Sequence, residues 1–509
     1  MGAIKNMLTK AAIKYLNVVP ARDRTITIKE SLTYEGNVLR NRTWYRGDPS
    51  ELDQFFKQSA NDLVSQSRFW AAVPSADLNI RKIHSGLPSM ICDTLADIVV
   101  ADLDNIDLGN DELNTLWEEI EKDNAFTDLL NEAIVETLVT GDGAFKVSMD
   151  TNLTECPIIE FFSGDRVDYV YKRGRLQEIK FYTEYPVNSK TYKLEETYGK
   201  GYINYRMLDE TGKEIPMTFK ESIPELKGIK LDDATFNGNF IMAVPLKFFK
   251  SPKYQDRGKS LFDSKTDAFD ALDEVISQWV DAIRDGRVNK YIPEDLIPRN
   301  PENGALMKPN AFDNRFIQVR ATMSENEGSK IDTTQADIKY EAYVESYSNA
   351  LDMCLQGIIS PATLGIDLKK TDNAEAQREK EKTTLYTRGK IVDKLTDVIP
   401  ALISIALMAK DLSVKENADQ YEATVEFGEY ASPSFDNVVE TVGSAKSYGI
   451  MSIEQCVESL YGDTWTDEQK AEEVQRIKEE DGTIQADEPK TYDGEEDNLE
   501  DGGVDGEEE

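Results

Sequence analysis

Two glycine-containing motifs could in principle hold phosphate groups. Gly258-Lys-Ser resembles the end of a P-loop, in which backbone N–H groups and a lysine bind nucleotide phosphates. A P-loop needs another glycine five residues earlier, but Lys253 occupies that position. Gly141-Asp-Gly is a lone glycine pair, which is more typical of a turn than of a phosphate site. Neither motif predicts ATP binding, and no cofactor is expected.

The single histidine, His84, limits the metal and nucleophile chemistry that one chain can carry out. One histidine cannot build a multi-histidine metal site within one chain, and no metal site is expected. A Ser-His-Asp triad would have to use this residue, which stands beside Ser85 and Gly86. The position is more typical of a partly buried residue at the end of a helix.

Carboxylates are abundant, with 95 Asp+Glu against 58 Lys+Arg and a formal net charge of −37. A two-carboxylate glycosidase or a magnesium-dependent nuclease could be built from such residues, but no spacing singles out a pair. A soluble carboxylate-dependent hydrolase therefore stays an alternative. The charge should repel nucleic acid and anionic membranes, so any contact with DNA must be local.

Length and composition indicate a folded chain of several subdomains. The 509 residues exceed what one compact core usually needs, and 40% hydrophobic residues suffice for real cores. The four cysteines are scattered singly, which favours a reducing compartment. Residues 1–19 have the pattern of a surface helix that docks on a neighbour, not of a signal peptide. The longest apolar stretch, 398–409, is too short to cross a bilayer, so no membrane partner is expected.

Hydrophobic periodicity divides the chain into regions of different structure. Helices are predicted over 50–72, 82–101 and 111–139, and alternating runs between about 155 and 250 predict antiparallel hairpins. A helix over 261–285 and another over 338–359 flank an excursion rich in Pro, Asn and Gly. After a polar loop come a long helix over 374–410, which Pro400 should kink, a strand over 422–427 and helices between 435 and 480. From Asp481 onward, thirteen acidic residues against one lysine predict a disordered tail. Such a tail could imitate DNA for a basic partner or keep the assembly soluble, and we favour the second role.

Several short motifs follow one another along the chain in a fixed order. They are Tyr45-Arg-Gly-Asp-Pro, Phe69-Trp70, Gly141-Asp-Gly-Ala-Phe-Lys, Gly174-Arg-Leu-Gln-Glu-Ile-Lys-Phe, Gly258-Lys-Ser-Leu-Phe, Asp270-Ala-Leu-Asp-Glu, Thr363-Leu-Gly and Asn373-Ala-Glu-Ala. The order and spacing of these motifs and of the predicted elements together resemble the portal proteins of tailed bacteriophages, particularly phages of Gram-positive hosts. The resemblance covers nearly the whole chain.

The resemblance implies a mixed α+β portal-protein fold with a wing, a two-helix stem, a small α/β clip, a long kinked helix and a helical crown. The implied segments are the wing (1–250), the first stem helix (251–287), the clip (288–337), the second stem helix (338–360), the tunnel loop (361–373), the long helix and a wing strand (374–434), the crown (435–480) and the acidic tail (481–509).

The resemblance also implies a function without catalysis. The chain would form a ring, a dodecamer in the virion, at one capsid vertex, through which DNA is packaged and ejected. Expected partners are its own copies, the major capsid and scaffolding proteins, the terminase large subunit, a head-tail connector and double-stranded DNA. The expected location is the capsid vertex of the virion, after assembly in the host cytoplasm. A minor capsid protein without a ring is a second alternative.

Two groups of residues are candidates for the channel. Asp263, Asp267, Asp270 and Asp273 on the first stem helix could face the channel as an acidic wall that does not hold phosphates; a solvated helix face is the other interpretation. In the implied tunnel loop, Lys369, Lys370 and Thr371 are candidates for contact with the DNA backbone, although the two lysines could equally be ordinary surface residues.

Overall fold

The computed structural model of the protein describes residues 30–60, 63–73, 80–286, 289–293, 296–305, 316–319, 332–335, 337–366, 374–428, 435–462 and 465–480. These residues belong to two compact units, which divide after Gly428. The first unit combines helices with several β-sheets, and the described part of the second unit consists of helices. A mixed α/β architecture is therefore confirmed.

The first unit begins with a set of helices that enclose a core of large apolar side chains. Trp44, Leu52, Ile91 and Trp117 are all at most 2% exposed. The helices are α1 (Tyr34–Arg46), α2 (Pro49–Ser59), α3 (Leu63–Gln66), α4 (Leu87–Ala101), α5 (Asp111–Asp123) and α6 (Phe126–Thr140).

Two of the predicted helices are interrupted. The helix predicted over 111–139 is two helices, because the Asn124 side chain donates to the carbonyl of Pro157 and accepts from the N–H of Ile159, which holds the turn against a strand. Ala125 adopts a left-handed φ of 46° there. The helix predicted over 50–72 ends at Ser59 and is followed by the short α3.

The start of α4 and the presence of α1 also differ from what the hydrophobic periodicity predicts. The helix predicted from residue 82 begins at Leu87, because Gly86 before it has a left-handed φ of 71°. Helix α1 was not predicted, since polar residues such as Asn37 and Arg40 fill its buried side and remove the apolar signal. Its first turn is capped by the Thr33 hydroxyl, which accepts from the N–H of Gly36.

The predicted hairpins are confirmed as an antiparallel meander. Strands β4 to β8 pair in chain order, and β9 pairs with β7 from the side. Arg173 and Gly174 have left-handed φ values of 52° and 74° at the β4–β5 turn, as a two-residue hairpin turn requires. The strands are β4 (Val167–Lys172), β5 (Arg175–Val187), β6 (Lys190–Gly199), β7 (Tyr202–Leu208), β8 (Glu214–Ile215) and β9 (Ala234–Thr235).

Two smaller sheets connect distant parts of the first unit. Strand β2 (Gly143–Ser148) lies between β3 (Ile158–Ser163) and β10 (Ala243–Leu246), antiparallel to both. Strand β1 (Leu103–Asp107) pairs with β14 (Thr424–Phe427). These pairings hold the helical part and the hairpins in one body.

The long helix and the helices after residue 435 lie at the positions that the periodicity predicts. Helix α9 (Ala374–Leu412) continues through Pro400, and its apolar second half is buried at Ile391, Leu395 and Ile399. The second unit contains α10 (Phe435–Ser447), α11 (Ile453–Tyr461) and α12 (Asp467–Glu480). Among the described residues, no helix combines the length and apolar character needed to cross a membrane.

The two motifs that could suggest phosphate binding pack against each other. A Cβ atom added to Gly258 would collide with the carbonyl oxygen of Gly141. Asp142 is fully buried beside this contact and accepts from the N–H of Gly258 (2.6 Å) and from the Tyr34 hydroxyl (2.9 Å). Arg257 reaches the same carboxylate at 3.3 Å. Both glycine motifs therefore have a structural role, in which their backbones pass in direct contact.

The Gly141–Gly258 contact predicts the effect of adding one methyl group. Gly258→Ala should lower the free energy of unfolding by about 3 kcal/mol or more, because backbone has to move. Gly389→Ala is the matched control, since Gly389 lies in α9 with open space around it; it should stabilise by up to about 1 kcal/mol through helix propensity. Urea denaturation followed by circular dichroism measures both. Equal midpoints for Gly258→Ala and wild type would contradict the contact.

Candidate functional site

The first element of the site is a helix that starts in the core and runs out of it. The Ser260 hydroxyl and the Asp263 carboxylate form a capping box at a 3-10 turn, Leu261–Ser264, which leads into α7 (Thr266–Asp285). Phe269 and Leu272, in its first half, are at most 1% exposed, whereas Ile283, near its end, is 49% exposed. The helix is about 30 Å long. Its first half is therefore anchored, and its second half is partly uncovered.

The second element is α8 (Tyr340–Leu355), which packs antiparallel to α7. Lys265, before α7, donates to the carbonyls of Met353 (2.7 Å) and Gln356 (2.8 Å) at the end of α8. Further along, the ring of Trp279 lies parallel to that of Tyr343, with centroids 6.4 Å apart.

The two ends of α8 also differ in burial, but in the opposite order along the chain to those of α7. Leu351 and Leu355 in its last turns are buried, but Tyr340 and Val344 at its start are 62% and 45% exposed. Ile338, just before α8, lies against Gly286 at the end of α7. The two helices thus form a pair with one end in the core and the other end more exposed.

A small sheet lies in the chain between the two helices. It consists of β11 (Asn289–Pro293), β12 (Phe316–Val319) and β13 (Asp332–Thr334). Strand β11 is central, parallel to β12 and antiparallel to β13. Because β11 begins three residues after Gly286, the sheet is attached to the end of the helix pair that leaves the core.

Three of the four predicted channel aspartates are inside the protein. The side chain of Asp263 is 6% exposed and accepts from Asn37 (2.8 Å) and Asn41 (3.1 Å) of α1. Arg40 of the same helix lies 3.3 Å away and forms an ion pair with it. This carboxylate therefore joins α1 to the start of α7.

Asp270 and Asp273 hold the segment between α3 and α4 against α7. Asp270 accepts from the backbone N–H groups of Phe69 (2.8 Å) and Trp70 (3.1 Å). Asp273, which is fully buried, accepts from the indole of Trp70 (3.1 Å) and the N–H of Ser85 (2.9 Å). His84 Nδ1 lies 2.7 Å from the same carboxylate.

The prediction that Asp263, Asp270 and Asp273 face a channel is therefore wrong. A buried carboxylate whose acceptor sites are used by donors of its own chain presents little charge to anything outside. Burial even raises the pKa of the Asp270 carboxyl, although two backbone N–H groups favour its ionised form. These residues are anchors of the helix.

The remaining predicted residues have different outcomes. The side chain of Asp267 is 77% exposed and forms an ion pair with Arg68 at 2.9 Å, so it stays a candidate for a channel wall. Lys369, Lys370 and Thr371 lie outside the described residues.

Other carboxylates on the helix pair were missed. They are exposed or half-exposed, and they are Glu274 on α7 and Glu341, Glu345 and Asp352 on α8. One signal in the sequence could have distinguished these exposed carboxylates from the buried ones that anchor the helix. Thr266, Asp270, Asp273 and Ser277 form a polar stripe at helical spacing beside the apolar stripe, and all four are buried.

Comparisons with known proteins give distant structural likenesses. No protein-family model matches the sequence, and a search of curated proteins found no match. The chain is similar to a chain from the neck of a native GTA particle, computed with C12 symmetry, with a TM-score of 0.39 and 13% identity, over 75% of this chain and 91% of that chain. It is also similar to a chain from the neck of an empty GTA particle, computed with C6 symmetry, with a TM-score of 0.33 and 12% identity, over 77% and 90% of the two chains. TM-scores below 0.5 do not establish a shared fold, so the function proposed below depends on the features of this chain.

Replacing one anchor by its amide should be costly. In Asp270→Asn, the new NH₂ group must face one of the two backbone N–H donors, which should lower the free energy of unfolding by about 2–3 kcal/mol. Asp267→Asn, one turn earlier and exposed, should change it by less than about 0.5 kcal/mol. Thermal unfolding at one protein concentration compares the two. A larger loss at Asp267 than at Asp270 would show that the anchor is misplaced.

Proposed function

We propose that the chain is a portal subunit of a phage-like particle, which forms a ring at one capsid vertex for the passage of DNA. The observation that carries the proposal is the helix pair α7–α8, anchored in the core at one end and connected to a small sheet at the other. In the portal family, which the sequence resembles, the stem and clip have this arrangement. On this proposal, α7 and α8 are the stem and β11–β13 belong to the clip.

The exposed apolar side chains of the helix pair support assembly. Ile283, Tyr340 and Val344 are each at least 45% exposed, and they lie in the half of the pair that leaves the core. Large apolar side chains grouped on one surface are typical of protein contacts. In a ring, each copy offers one surface to the next copy, so a neighbouring helix pair would cover them.

The charge of the helix pair supports a channel through which DNA can slide. Its exposed carboxylates, which include Asp267, Glu341 and Glu345, outnumber nearby cations such as Arg284. Each phosphate held by Lys or Arg adds affinity, so a basic wall would retain DNA, whereas an acidic wall keeps phosphates away. The acidic wall of the proposed channel would come from these residues in place of the buried aspartates.

The other parts follow from the proposed position in the particle. The clip would offer its surface to the terminase large subunit during packaging and to a head-tail connector afterwards. The body of the first unit would meet the major capsid and scaffolding proteins. Hydrolysis of ATP would belong to the terminase, and this chain would act as an assembly and channel protein.

The alternative functions differ in assembly. A carboxylate-dependent hydrolase would be a small oligomer with a substrate pocket and no central hole. A minor capsid protein would bind the shell without forming a closed ring. Both lack the feature that the portal function needs, which is a closed ring around a channel wide enough for duplex DNA.

Electron microscopy of the purified full chain, together with its native mass, tests the proposal. We expect closed rings of about twelve copies with a central hole, since closed cyclic symmetry is the usual result of one repeated head-to-tail contact. A monomer or dimer that stays stable across protein concentrations would contradict the proposal and favour the hydrolase.

A substitution on the helix pair tests whether that surface forms the ring. Val344→Asp places a charge on the exposed part of α8 and should prevent ring formation without unfolding the subunit. Val414→Asp, at a position that is 80% exposed in the loop after α9, is the matched control and should still form rings. Native mass measures assembly, and circular dichroism checks the fold. Normal rings from Val344→Asp would exclude this surface from the contact.

A further inference from the structure

Charge is distributed very unevenly within the first unit. Residues 87–140, which include α4, α5 and α6, contain fourteen Asp and Glu but only one Lys. Residues 166–250, which include the hairpins, contain fifteen Lys and Arg against twelve Asp and Glu. Residues 166–250 therefore carry a small positive excess in a chain whose net charge is −37.

The acidic region contains a groove between α4 and α6 with a volume of about 420 Å³. Asp93 and Asp97 line it from α4, and Asp128, Glu132 and Glu136 line it from α6. On both helices these residues are four apart, so like charges stand one turn from each other and repel. We call these five residues the acidic groove.

Partners within the chain form hydrogen bonds or ion pairs with only some of the groove's carboxylates. The Tyr45 hydroxyl donates to Asp93 (2.8 Å), and Arg42 forms an ion pair with Glu136 (3.0 Å). Burial, opposed by Arg42 and aided by the charges of Asp165 and Glu132, raises the pKa of Glu136. Asp128 and Glu132 are exposed and form no ion pair with other described residues. The groove thus has negative charge left for an external cation.

Three of the cations in residues 166–250 stand together at one exposed turn. Lys172, Arg173 and Arg175 surround Gly174 at the turn between β4 and β5, and all three are exposed. The left-handed φ values of Arg173 and Gly174 fix the turn, so the cations stand on a defined hairpin. Within the described residues, none of the three forms an ion pair with a carboxylate. We call Lys172–Arg175 the basic tip.

We propose that the basic tip of one copy docks in the acidic groove of a second copy. The tip and the groove are different surfaces of one chain, so their contact is head-to-tail, and its repetition can close a ring. Arginine suits this contact, because its planar guanidinium donates two parallel hydrogen bonds to a carboxylate. The inference rests on the proposed ring, of which it names one subunit contact.

Charge reversal on each side, in the full chain, tests the contact. Arg173→Glu with Arg175→Glu reverses the tip, and Asp97→Lys with Glu132→Lys reverses the groove. Each double variant should need on the order of tenfold more protein for half-maximal assembly at low salt, and the chain with all four changes should regain most of the loss. Lys190→Glu with Lys200→Glu is the matched control on the same sheet and should assemble like wild type. Mass photometry across protein concentrations measures each variant.

The sign of the two effects excludes general charge repulsion. Reversing the tip makes the chain more negative, whereas reversing the groove makes it less negative. If net charge alone limited assembly, groove reversal would strengthen assembly. The proposed contact requires both reversals to weaken it. An effect of groove reversal alone would mean that a different cation occupies the groove, and it would overturn the proposal.

Cross-linking tests the same contact directly. A mixture of Arg173→Cys and Glu132→Cys chains should give a disulfide-linked pair under mild oxidation, and Lys190→Cys in place of Arg173→Cys should not. Equal yields from both mixtures, or none from the first, would overturn the contact even if rings form. A wild-type chain that stays monomeric would instead contradict the proposed ring. Failure of the ring and failure of the contact between tip and groove are therefore distinguishable.

Discussion

Three buried carboxylates at the start of helix α7 and in its first half hold the helix in position. Asp263, Asp270 and Asp273 accept hydrogen bonds from α1 and from the segments before α4, which are distant in sequence. Hydrogen bonds to a charged group contribute about 1.5–3 kcal/mol each, and an unpaired buried carboxylate would cost several times the loss of a surface contact. The N-terminal helices and α7 are thus coupled, because the N-terminal segments supply the hydrogen-bond donors that the buried carboxylates need, and the carboxylates supply the acceptors.

This coupling explains how a helix pair can leave the core without losing its direction. Apolar packing anchors only the first half of α7, and beyond Ser277 the helix depends on α8, through contacts such as that of Trp279 with Tyr343. Polar anchors resist rotation of the helix about its axis, since each hydrogen bond needs its own geometry. Apolar contacts alone would tolerate such rotation. In a ring subunit, this would keep the same face of the helix pair toward the neighbouring copy and the same face toward the channel.

The sequence predicted the features that depend on local patterns. The hairpins and the helices α7 and α8 were found, because turn residues and helical spacing are local signals. The roles of Asp263, Asp270 and Asp273 were missed, because a polar residue on a helix is assigned to solvent unless its distant partners are known. The break at Asn124 has the same cause, since its partners lie on β3. Some of the sequence motifs contact each other in the structure. The backbone of Phe69-Trp70 donates to Asp270, and Gly141-Asp-Gly packs on Gly258.

The large negative charge has different consequences in different places. Inside the first unit, carboxylates are paired and act as anchors; on the helix pair and along α4 and α6 they stay exposed. Copies with a net charge of −37 repel one another, and the repulsion grows with each copy added to a ring. In the proposed ring, apolar contacts between helix pairs would have to exceed this repulsion, and local pairs of opposite charge would reduce it where copies meet. Since ions of the solvent screen distant charges more than close pairs, salt should weaken the repulsion more than such contacts. An acidic channel and a stable ring are therefore compatible when exposed cations such as those of the basic tip stand at the subunit boundary.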